Sequence, residues 1–200
     1  QPFEQDTSKK LLVIGGGVSG MTAATEAANA GYSVDLVEKK GHLGGFCLDE
    51  HKLIPSKAPF SEPENNYVSA IVSTVEENKL IKVHTSSFVN SISGQPGEFQ
   101  VKLNQQGKTE KFKCGAVIMA TGSQPYDTAK LSHLGINYDN VVSSAEFEQM
   151  AKSGNILRKD GKPALNVGFI QCAGSRTPEH LPYCSGTCCM DSLKQAAYIR

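Results

Sequence analysis

The chain has 200 residues, and its 20 Lys and Arg balance 20 Asp and Glu, so the formal net charge is +0. A chain with balanced charge has no excess of positive charge to attract nucleic acid or anionic lipid, so neither is expected as a partner. No apolar run approaches the roughly 20 residues of a membrane-spanning helix, and direct membrane insertion is not expected. Without a secretory leader, the composition predicts a soluble, cytoplasmic protein. Because the sequence starts without Met and stops inside a predicted helix, we expect a fragment of a longer polypeptide.

The first forty residues alternate strand, turn, helix and strand. The apolar run at 11–14 is typical of a strand buried on both faces. Ala-rich residues 19–30 favour a helix that ends at Gly31. Residues 33–38 predict a second strand, which completes a βαβ unit of about 30 residues. A loop rich in Gly, Pro and Ser is expected over 41–63.

The rest of the chain predicts a helix at 65–79 and then a small antiparallel excursion. The strands expected in that excursion are 80–84, 88–92, 99–103 and 109–113. A buried parallel strand at 116–120, a short capped helix at 144–152 and a linker at 161–163 follow. A strand at 165–171 then opens a second strand–turn–helix unit. We therefore predict an α/β fold, with a Rossmann-like domain over 1–160 and the start of a second one over 161–200.

A glycine-rich turn of the form G-x-G-x-x-G lies directly between the first strand and helix. Gly15 permits the tight turn, Gly17 lets a pyrophosphate approach the backbone, and Gly20 lets helix and strand pack closely. The helix start at Val18 and Ser19 presents unpaired amides and a partial positive charge to phosphates. In this context the turn predicts a dinucleotide site, although a glycine-rich turn can also simply connect a strand to a helix.

Glu38 ends the second strand, where its carboxylate can accept hydrogen bonds from an adenosine ribose. Lys39 and Lys40 leave some room for a 2′-phosphate, but the carboxylate would repel that group. FAD or NAD(H) is therefore favoured over NADP(H).

Three motifs in order are similar to those of the two-dinucleotide-binding-domain flavoproteins, the family of thioredoxin reductase and lipoamide dehydrogenase. They are residues 13–20, the Gly pair at 44–45, and residues 120–123 at the end of a later strand. The resemblance implies that residues 1–160 form an FAD-binding domain. Besides the glycine turn and Glu38, the positions implied to line the cofactor are Lys39, Gly44, Gly45, Phe46, Val89, Ala120, Thr121 and Gly122.

The segment 44–57 is similar to the redox-active disulfide loop of lipoamide dehydrogenases. Cys47 occupies the first thiol position, but Leu53 stands at the second, with one residue inserted between them. One thiol cannot form the dithiol that this mechanism needs. Cys47 is then either an inert cysteine near the flavin or a thiol that touches the flavin or a substrate.

Four of the six cysteines, Cys172, Cys184, Cys188 and Cys189, form the pattern C-x11-C-x3-C-C. Zinc sites usually show two separated C-x2–4-C pairs, which this spacing does not. Cys184 and Cys188 are four residues apart and share a helical face, so the thiolates could converge. Four thiolates suit an iron–sulfur cluster. Zinc, disulfide exchange through the adjacent pair, and four unrelated buried cysteines remain as alternatives.

The second strand–turn–helix unit lacks a glycine fingerprint, and Cys172 stands where a glycine is expected. The run 171–176, with the cysteines that follow, is similar to the A subunits of heterodisulfide reductases and to the QmoA and QmoB subunits of quinone-interacting oxidoreductase. This resemblance implies a 4Fe–4S cluster with Cys172, Cys184, Cys188 and Cys189 as ligands. It also implies other redox subunits or ferredoxin-like modules as partners. No ferredoxin-like C-x2-C-x2-C motif occurs in the 200 residues.

The resemblance implies an FAD- and iron–sulfur-dependent electron-transfer subunit that couples two-electron flavin to one-electron cluster chemistry. No individual side chain is predicted to be catalytic. One alternative is a self-contained NAD(P)H-dependent disulfide or polysulfide reductase, which would need a fingerprint after Leu165 and a second thiol near Cys47. Another is a scaffold subunit in which FAD and metal are structural.

Overall fold

The structure, a computed structural model, describes residues 7–199, which form two compact units. Unit 1 consists of the chain up to Leu48 together with Tyr67–Ser123. Unit 2 holds Asp49–Asn66 and the residues from Gln124 onward. Each unit is therefore assembled from two separate stretches of chain. The domain boundary expected between residues 160 and 161 stays a prediction.

The secondary structure mixes helices and strands. The strands are β1 Lys10–Ile14, β2 Ser33–Val37, β3 Lys52–Leu53, β4 Glu64–Asn65, β5 Ile81–His84, β6 Ser87–Ser93, β7 Phe99–Gln105, β8 Lys108–Cys114 and β9 Ala116–Met119. The helices are α1 Val18–Asn29, α2 Gly45–Asp49, α3 Val68–Glu77, α4 Ser144–Lys152 and α5 Cys188–Ala197, and a 3-10 segment covers Thr128–Leu134. None of the helices found between residues 7 and 199 is both long and apolar enough to cross a membrane.

Unit 1 is built on a parallel sheet with the strand order β5-β2-β1-β9. Leu12 pairs with Asp35 on one side of β1, and Val13 pairs with Ile118 on the other. Helices α1 and α3 contact each other, and α1 contacts the sheet. The predicted βαβ beginning and the α/β, Rossmann-like fold class are therefore confirmed.

A second, antiparallel sheet of unit 1 consists of β6, β7 and β8 in that order. Its apolar face carries Val101, Leu103 and Cys114, which pack with Leu12 and Val37 of the parallel sheet. Side chains alternate between the two faces of a strand, so the other face of β7 and β8 carries polar residues. A hydrophobic core of unit 1 therefore lies between its two sheets.

The assignment of residues 80–84 to the antiparallel excursion is wrong. The structure pairs β5 with β2 in parallel, with Val34 opposite Ile81. Parallel neighbours need a crossover connection, and α3 supplies it between these two strands. The excursion is limited to β6–β8. Strand β9 is parallel as predicted, but it is an edge strand, and Met119 is 65% exposed rather than buried.

Two further expectations need correction where the chain passes between the units. The loop expected over 41–63 contains the short helix α2 and the strand β3. The helix expected from residue 65 begins only at Val68, because Asn65 pairs with Lys52 in a small antiparallel ladder. Such a ladder depends on two short segments that carry no alternating hydrophobic pattern, so the sequence does not indicate it.

Unit 2 contains the contacting helices α4 and α5. The short capped helix predicted at 144–152 is confirmed as α4. The Ser143 hydroxyl accepts the backbone N–H of Glu146, and the Glu146 carboxylate accepts the backbone N–H of Ser143 at 2.7 Å. This reciprocal capping box satisfies two backbone donors at the start of the helix.

The strand expected at 165–171 is not formed in the part of the chain that the structure describes. Leu165 is 87% exposed and Ile170 is 61% exposed, so this apolar run is not a buried strand. A parallel strand is stable only beside a hydrogen-bonded neighbour, and no strand of residues 7–199 pairs with this segment. The predicted second unit is therefore represented by α5 and the turn before it.

Candidate cofactor and cysteine sites

The glycine-rich turn of unit 1 leaves no room for side chains at two of its three motif positions. A Cβ on Gly15 would lie 2.1 Å from the carbonyl oxygen of Ala120, and Gly15 has a φ of +113°. A Cβ on Gly20 would lie 1.8 Å from the carbonyl oxygen of Gly15. Both glycines are therefore fixed by the packing of β1 against α1 and the end of β9.

Gly17 forms the open side of the same turn. The backbone N–H of Gly44 donates to the carbonyl of Gly16 at 2.8 Å, and Gly17 and Gly44 form a parallel bridge. A Cβ on Gly17 would have its nearest neighbour, the Cα of Gly45, at 3.9 Å. Helix α1 begins directly after Gly17 and no side chain caps it. Accessible helix-start amides beside bare glycine backbone fit the pyrophosphate of a dinucleotide.

Glu38 is buried and braces this turn, a role that its position at a strand end does not reveal. One carboxylate oxygen accepts the backbone N–H of Gly16 at 2.7 Å, and the other accepts that of Lys40 at 2.7 Å. Each carboxylate oxygen can accept a second hydrogen bond, so the group still has capacity for ribose hydroxyls. The geometry therefore fits the predicted contact with a dinucleotide ribose.

The other positions implied to line FAD also belong to unit 1. The Ala120 N–H donates to the Ile14 carbonyl at 2.8 Å, which fixes the end of β9 beside the glycine turn. The ammonium group of Lys40 lies 5.6 Å from the ring centroid of Phe46. Val89 is half-buried and packs against the core between the sheets. Val18 is half-buried. The exposed residues of the set are Ser19, Lys39, Phe46, Thr121 and Gly122. Their contacts with a cofactor stay predictions.

A buried ion-pair network supports the strand that carries Glu38. One Asp35 oxygen lies 2.7 Å from His84 Nε2, and the other lies 2.9 Å from Lys10 Nζ. Burial raises the pKa of Asp35, but hydrogen bonds from His84 and Lys10 outweigh burial and lower the pKa below 3.8. The His84 carbonyl accepts the Glu38 N–H at 2.9 Å, so the network is joined directly to the strand end that carries Glu38.

The predicted metal ligands lie on a folded loop and on the first turn of α5 in unit 2. Cys172 has a φ of +55°, and the Ser175 N–H donates to its carbonyl at 3.0 Å. The Arg176 N–H donates to the Tyr183 carbonyl at 3.2 Å, so the chain returns and brings Cys184 back toward Cys172. Cys188 and Cys189 are the first two residues of α5.

Several N–H groups point at these sulfur atoms. The backbone N–H of Cys172 donates to Cys188 and, against the opposing effect of burial, lowers the pKa of the Cys188 thiol. The backbone N–H of Gly186 donates to Cys184 Sγ at 3.4 Å, and Arg176 Nη1 lies 3.9 Å from Cys172 Sγ. Such donors stabilise thiolates, which are the form that binds metal.

The four cysteines are near one another but are not arranged as a closed ligand set. Negative charge on Cys188, and further charge on Cys172 and Cys184, raises the pKa of the Cys189 thiol. Within residues 7–199, no three Cys, His, Asp or Glu side chains converge closely enough to hold a metal ion. Four thiols are the donor type that an iron–sulfur cluster uses, but the structure does not bring them together as a closed ligand set, and their assignment as ligands stays a prediction.

The remaining two cysteines lie in unit 1. Cys114 is fully buried in the core between the sheets, and burial raises the pKa of its thiol. Cys47 is half-buried in α2. No disulfide joins cysteines in the part of the chain that the structure describes. Cys114 is therefore a packing residue of the core, and the role of Cys47 stays open.

Sequence reasoning missed a buried charged cluster in unit 2. Lys194 on α5 has a side chain that is 2% exposed, and its ammonium lies 3.0 Å from Glu50, 3.2 Å from Glu148 and 3.8 Å from Asp191. We call these four residues the Lys194 cluster. Burial alone would lower the pKa of Lys194, but Glu50 and Glu148 reverse this effect and raise it. Burial also raises the pKa of Glu50.

The Glu148 carboxylate also accepts hydrogen bonds from uncharged groups. Gln195 donates to it at 3.0 Å and Tyr198 donates to it at 3.3 Å, while the His51 backbone N–H donates at 2.9 Å. Only the i, i+3 spacing of Asp191 and Lys194 on one helix could have indicated part of this cluster. Glu50 and Glu148 come from distant segments of the chain, so their contacts with Lys194 could not be predicted from the sequence.

The sequence pattern of the pyridine nucleotide-disulphide oxidoreductase family matches residues 9–162, more than half of the chain. The chain belongs to this family. The oxidoreductase class and the flavoprotein-type Rossmann domain predicted from the motifs are therefore confirmed.

Curated relatives of this family member are the A subunits of heterodisulfide reductases, as its cysteine motif predicts. The second iron-sulfur A subunit of the CoB–CoM heterodisulfide reductase of Methanopyrus kandleri is 26% identical, over 100% of this chain and 43% of its own. The A subunit of the H2:CoB–CoM heterodisulfide,ferredoxin reductase of Methanothermobacter thermautotrophicus is 35% identical, over 96% of this chain and 41% of its own. The chain thus spans less than half the length of these relatives.

Solved structures similar to this family member include two thioredoxin reductases. The enzyme of T. acidophilum gives a TM-score of 0.48 with 19% identity, over 60% of this chain and 38% of that chain. The enzyme of Giardia duodenalis gives a TM-score of 0.41 with 23% identity, over 60% of this chain and 33% of that chain.

Proposed function

We propose that the chain is the FAD- and 4Fe–4S-binding part of a heterodisulfide reductase-like electron-transfer subunit. FAD would be held in unit 1 by the glycine turn, Glu38 and the ends of the neighbouring strands. The cluster would be held in unit 2 by Cys172, Cys184, Cys188 and Cys189. Relatives of the chain are named as iron-sulfur subunits of heterodisulfide reductases, which supports this proposal.

The observation that carries the proposal is the folding back of the chain between Cys172 and Cys184, where the Arg176 N–H donates to the Tyr183 carbonyl at 3.2 Å. This brings the first two cysteines of the pattern toward each other, and the other two, Cys188 and Cys189, begin α5. A thiolate at a helix start that also accepts a backbone N–H is stabilised in the form that ligates iron. Four unrelated buried cysteines would not need this arrangement, and Cys184 and Cys189 are exposed.

The residues of the two sites have distinct tasks in this proposal. Bound FAD supplies two-electron chemistry, and a bound 4Fe–4S cluster supplies one-electron transfer. The amides after Gly17 would bind the pyrophosphate, and Glu38 would orient the ribose while it holds the turn through Gly16. The N–H groups of Gly186 and Cys172, together with Arg176, would stabilise negative charge on the sulfurs and so raise the affinity for an electron.

Electrons would pass between this protein and other redox subunits or ferredoxin-like modules, and the complex would reduce a disulfide. Thiolate ligands need a reducing compartment, so we propose a cytoplasmic location. The relatives' names specify the CoB–CoM heterodisulfide as their substrate, and we infer a disulfide substrate class for the present complex.

The test is the flavin, iron and sulfide content of the full-length protein prepared without oxygen. We expect FAD and iron together, and a visible spectrum that bleaches on reduction. Single Cys→Ser changes at Cys172, Cys184, Cys188 and Cys189 should each lower the iron content and leave flavin unchanged. The matched control Cys47→Ser should leave the iron content unchanged. Zinc in place of iron, or full iron in all four variants, would contradict the proposal.

A second candidate, thiol–disulfide exchange through the adjacent Cys188 and Cys189, is favoured by their place at the start of α5 and by the exposure of Cys189. In that case the protein would hold FAD but no iron. Cys188 would then react faster with a disulfide reagent than Cys184 and Cys189 do. The metal analysis and this reactivity order separate the two candidates.

A further inference from the structure

The loop of residues 172–184, the cysteine loop, contains no helix or strand and is folded by five backbone hydrogen bonds of its own. Its internal hydrogen bonds include those from the Leu181 N–H to the Gly174 carbonyl at 3.2 Å and from the Thr177 N–H to the Leu181 carbonyl at 3.3 Å. Six of its 13 residues are exposed, five are half-buried, and only Gly174 and Ser175 are buried. Hydrogen bonds on an exposed loop compete with water and hold it weakly. Contacts from outside the loop would therefore help to keep Cys172 and Cys184, two of the proposed ligands, in place.

Tyr126, which precedes the 3-10 segment, contacts the cysteine loop at two points. Its hydroxyl lies 2.7 Å from Nδ1 of His180, and the two rings meet edge to face at 5.7 Å. Its ring also covers Gly174 so closely that a Cβ on Gly174 would lie 2.5 Å from Tyr126 Cδ1. One half-buried aromatic side chain therefore holds both arms of the loop.

The 3-10 segment supports the same contact from a second side. The ring of His133 stacks on His180 at 5.8 Å between centroids and 11° between planes. Leu131, between these contacts in the chain, is 5% exposed and anchors the segment. The Asp127 side chain caps the segment by accepting the Ala129 N–H at 3.1 Å. His180 is thus held between Tyr126 and His133.

We propose that Tyr126 is a positioning residue for the cysteine site, which holds Cys172 and Cys184 in place through Gly174 and His180. The proposal deepens the proposed function and rests on it for the identity of the bound group. The contact at Gly174 is two residues after Cys172, and the contact at His180 is four residues before Cys184. Fixing these two points limits how far either sulfur can move away from Cys188.

The expected consequence is that Cys172 and Cys184 are restrained before the cluster binds, so that less rearrangement is needed to close the ligand set. Ligands that are already ordered lose less conformational entropy on binding, so affinity rises without any new contact to the bound group. Supporting residues around metal ligands typically affect metal affinity by about 10–100-fold when they are changed. Tyr126 does not contact a sulfur, so removing its hydroxyl alone should lie at or below the lower end of that range.

The test compares Tyr126→Phe with the matched control Tyr138→Phe in the full-length protein holding iron. Tyr138 is a 75% exposed tyrosine of the same unit, and its substitution also removes only a hydroxyl. We expect the loss of one hydrogen bond to speed iron release to a chelator about fivefold in Tyr126→Phe and not in Tyr138→Phe. The reduction potential and electron paramagnetic resonance spectrum of the cluster should also change only in Tyr126→Phe.

A double-mutant cycle with His180→Ala identifies the partner of the hydroxyl. If the hydroxyl acts through His180, adding Tyr126→Phe to His180→Ala should cause no further increase in iron release. Iron release, potential and spectrum identical to the unchanged protein in Tyr126→Phe would overturn the proposal. So would fully additive effects in the cycle, because the hydroxyl would then act on something other than His180.

A separate measurement distinguishes failure of this proposal from failure of the proposed function. If the unchanged protein holds FAD but takes up no iron, the proposed function is wrong. The positioning role is then measured in metal-free protein by the rate at which a maleimide labels each cysteine. Faster labelling of Cys172 and Cys184, but not of Cys114, in Tyr126→Phe would support the role. Unchanged rates would overturn it.

Discussion

The candidate sites of the two units are held together by different parts of the chain, main chain in unit 1 and side chains in unit 2. In unit 1 the site is made of backbone, because Gly15, Gly20 and Gly45 let main-chain segments touch each other directly. In unit 2 the cysteine loop has no sheet beneath it in the described residues, and side chains hold it in place. The Lys194 cluster anchors α5, and Tyr126 meets the loop at Gly174 and His180.

This difference predicts where each unit is vulnerable. A backbone-built site fails when an atom is added, since there is no flexible group to move aside. A site held by side chains fails when a partner is removed, since the groups left behind are buried without compensation. Single substitutions in either unit test this contrast.

The largest effect is expected from Gly20→Ala in unit 1. The new methyl group would lie 1.8 Å from the Gly15 carbonyl oxygen, so α1 and β1 must separate. We expect a loss of more than about 4 kcal/mol in the free energy of unfolding, together with loss of FAD. Gly41→Ala is the matched control, because its nearest neighbour would be at 3.7 Å. Urea unfolding and flavin content measure both, and equal stability of the two variants would contradict a backbone-built site.

In unit 2 the largest effect is expected from removing a side chain, in Lys194→Met. The change leaves Glu50, Glu148 and Asp191 close together without their counter-ion. Breaking a buried ion pair from one side typically costs about 3–5 kcal/mol. Lys162→Met, at an exposed position, should change the unfolding free energy little. A midpoint of urea unfolding unchanged by Lys194→Met would show that the cluster does not hold α5.

We expect Asp35 to make the free energy of unfolding of unit 1 decrease at acidic pH. Because its pKa is lower in the folded protein than the ordinary 3.8, the unfolded chain binds a proton more readily. The stability that Asp35 contributes is therefore present above that value and is lost as the pH falls through the folded-state pKa. Asp35→Asn should cost about 2 kcal/mol at neutral pH and remove this part of the pH dependence.

The control for this pH profile is Asp139→Asn, whose carboxylate pairs with Lys159 at an exposed position. Exposed ion pairs contribute about 0–1 kcal/mol, so its profile should follow that of the unchanged protein. Urea unfolding at a series of pH values gives both profiles. If the free energy of unfolding of Asp35→Asn fell at low pH as steeply as that of the unchanged protein, the assignment to Asp35 would be contradicted.

The smallest effect is expected from a comparison inside the cysteine region. Gly174 and Gly186 both have positive φ, at +79° and +77°. Alanine is strained by about 1 kcal/mol at either position. Only at Gly174 does the new Cβ also meet a ring, that of Tyr126 at 2.5 Å. Gly174→Ala should therefore be less stable than Gly186→Ala by about 1–3 kcal/mol in thermal unfolding. Equal melting temperatures would mean that Tyr126 moves aside at no cost.

The backbone-built half of the molecule was largely predictable from sequence. Strand, glycine turn, helix and strand follow each other within forty residues, and their pattern is local. The strand at 80–84 was recognised, but its neighbour was not, because β2 lies more than forty positions earlier in the chain. Similarly, Glu38 was predicted to be a ribose ligand, and this stays a prediction, whereas its hydrogen bond to the Gly16 N–H required the folded turn.

The half held by side chains was less predictable. The cysteine pattern indicated chemistry, but nothing local indicated that Tyr126 and His180, 54 residues apart, would meet. The apolar run at 165–171 has the composition of a strand, yet composition cannot supply the neighbour that a strand requires. Contacts between distant side chains depend on the finished fold, and these were the contacts that sequence reasoning missed.

The ion pair between Glu50 and Lys194 joins residues 144 positions apart, and this separation orders the folding of the nascent chain. Ribosomes add about 5–20 residues per second, so Glu50 emerges many seconds before its counter-ion has been made. All the strands that the described residues contribute to unit 1 have emerged once β9 has been made. The segment that carries Glu50 lies between two stretches of unit 1 in the chain, and its partner on α5 is made later. Among residues 7–199, we therefore expect the half that holds the glycine turn to form before the half that carries the cysteines.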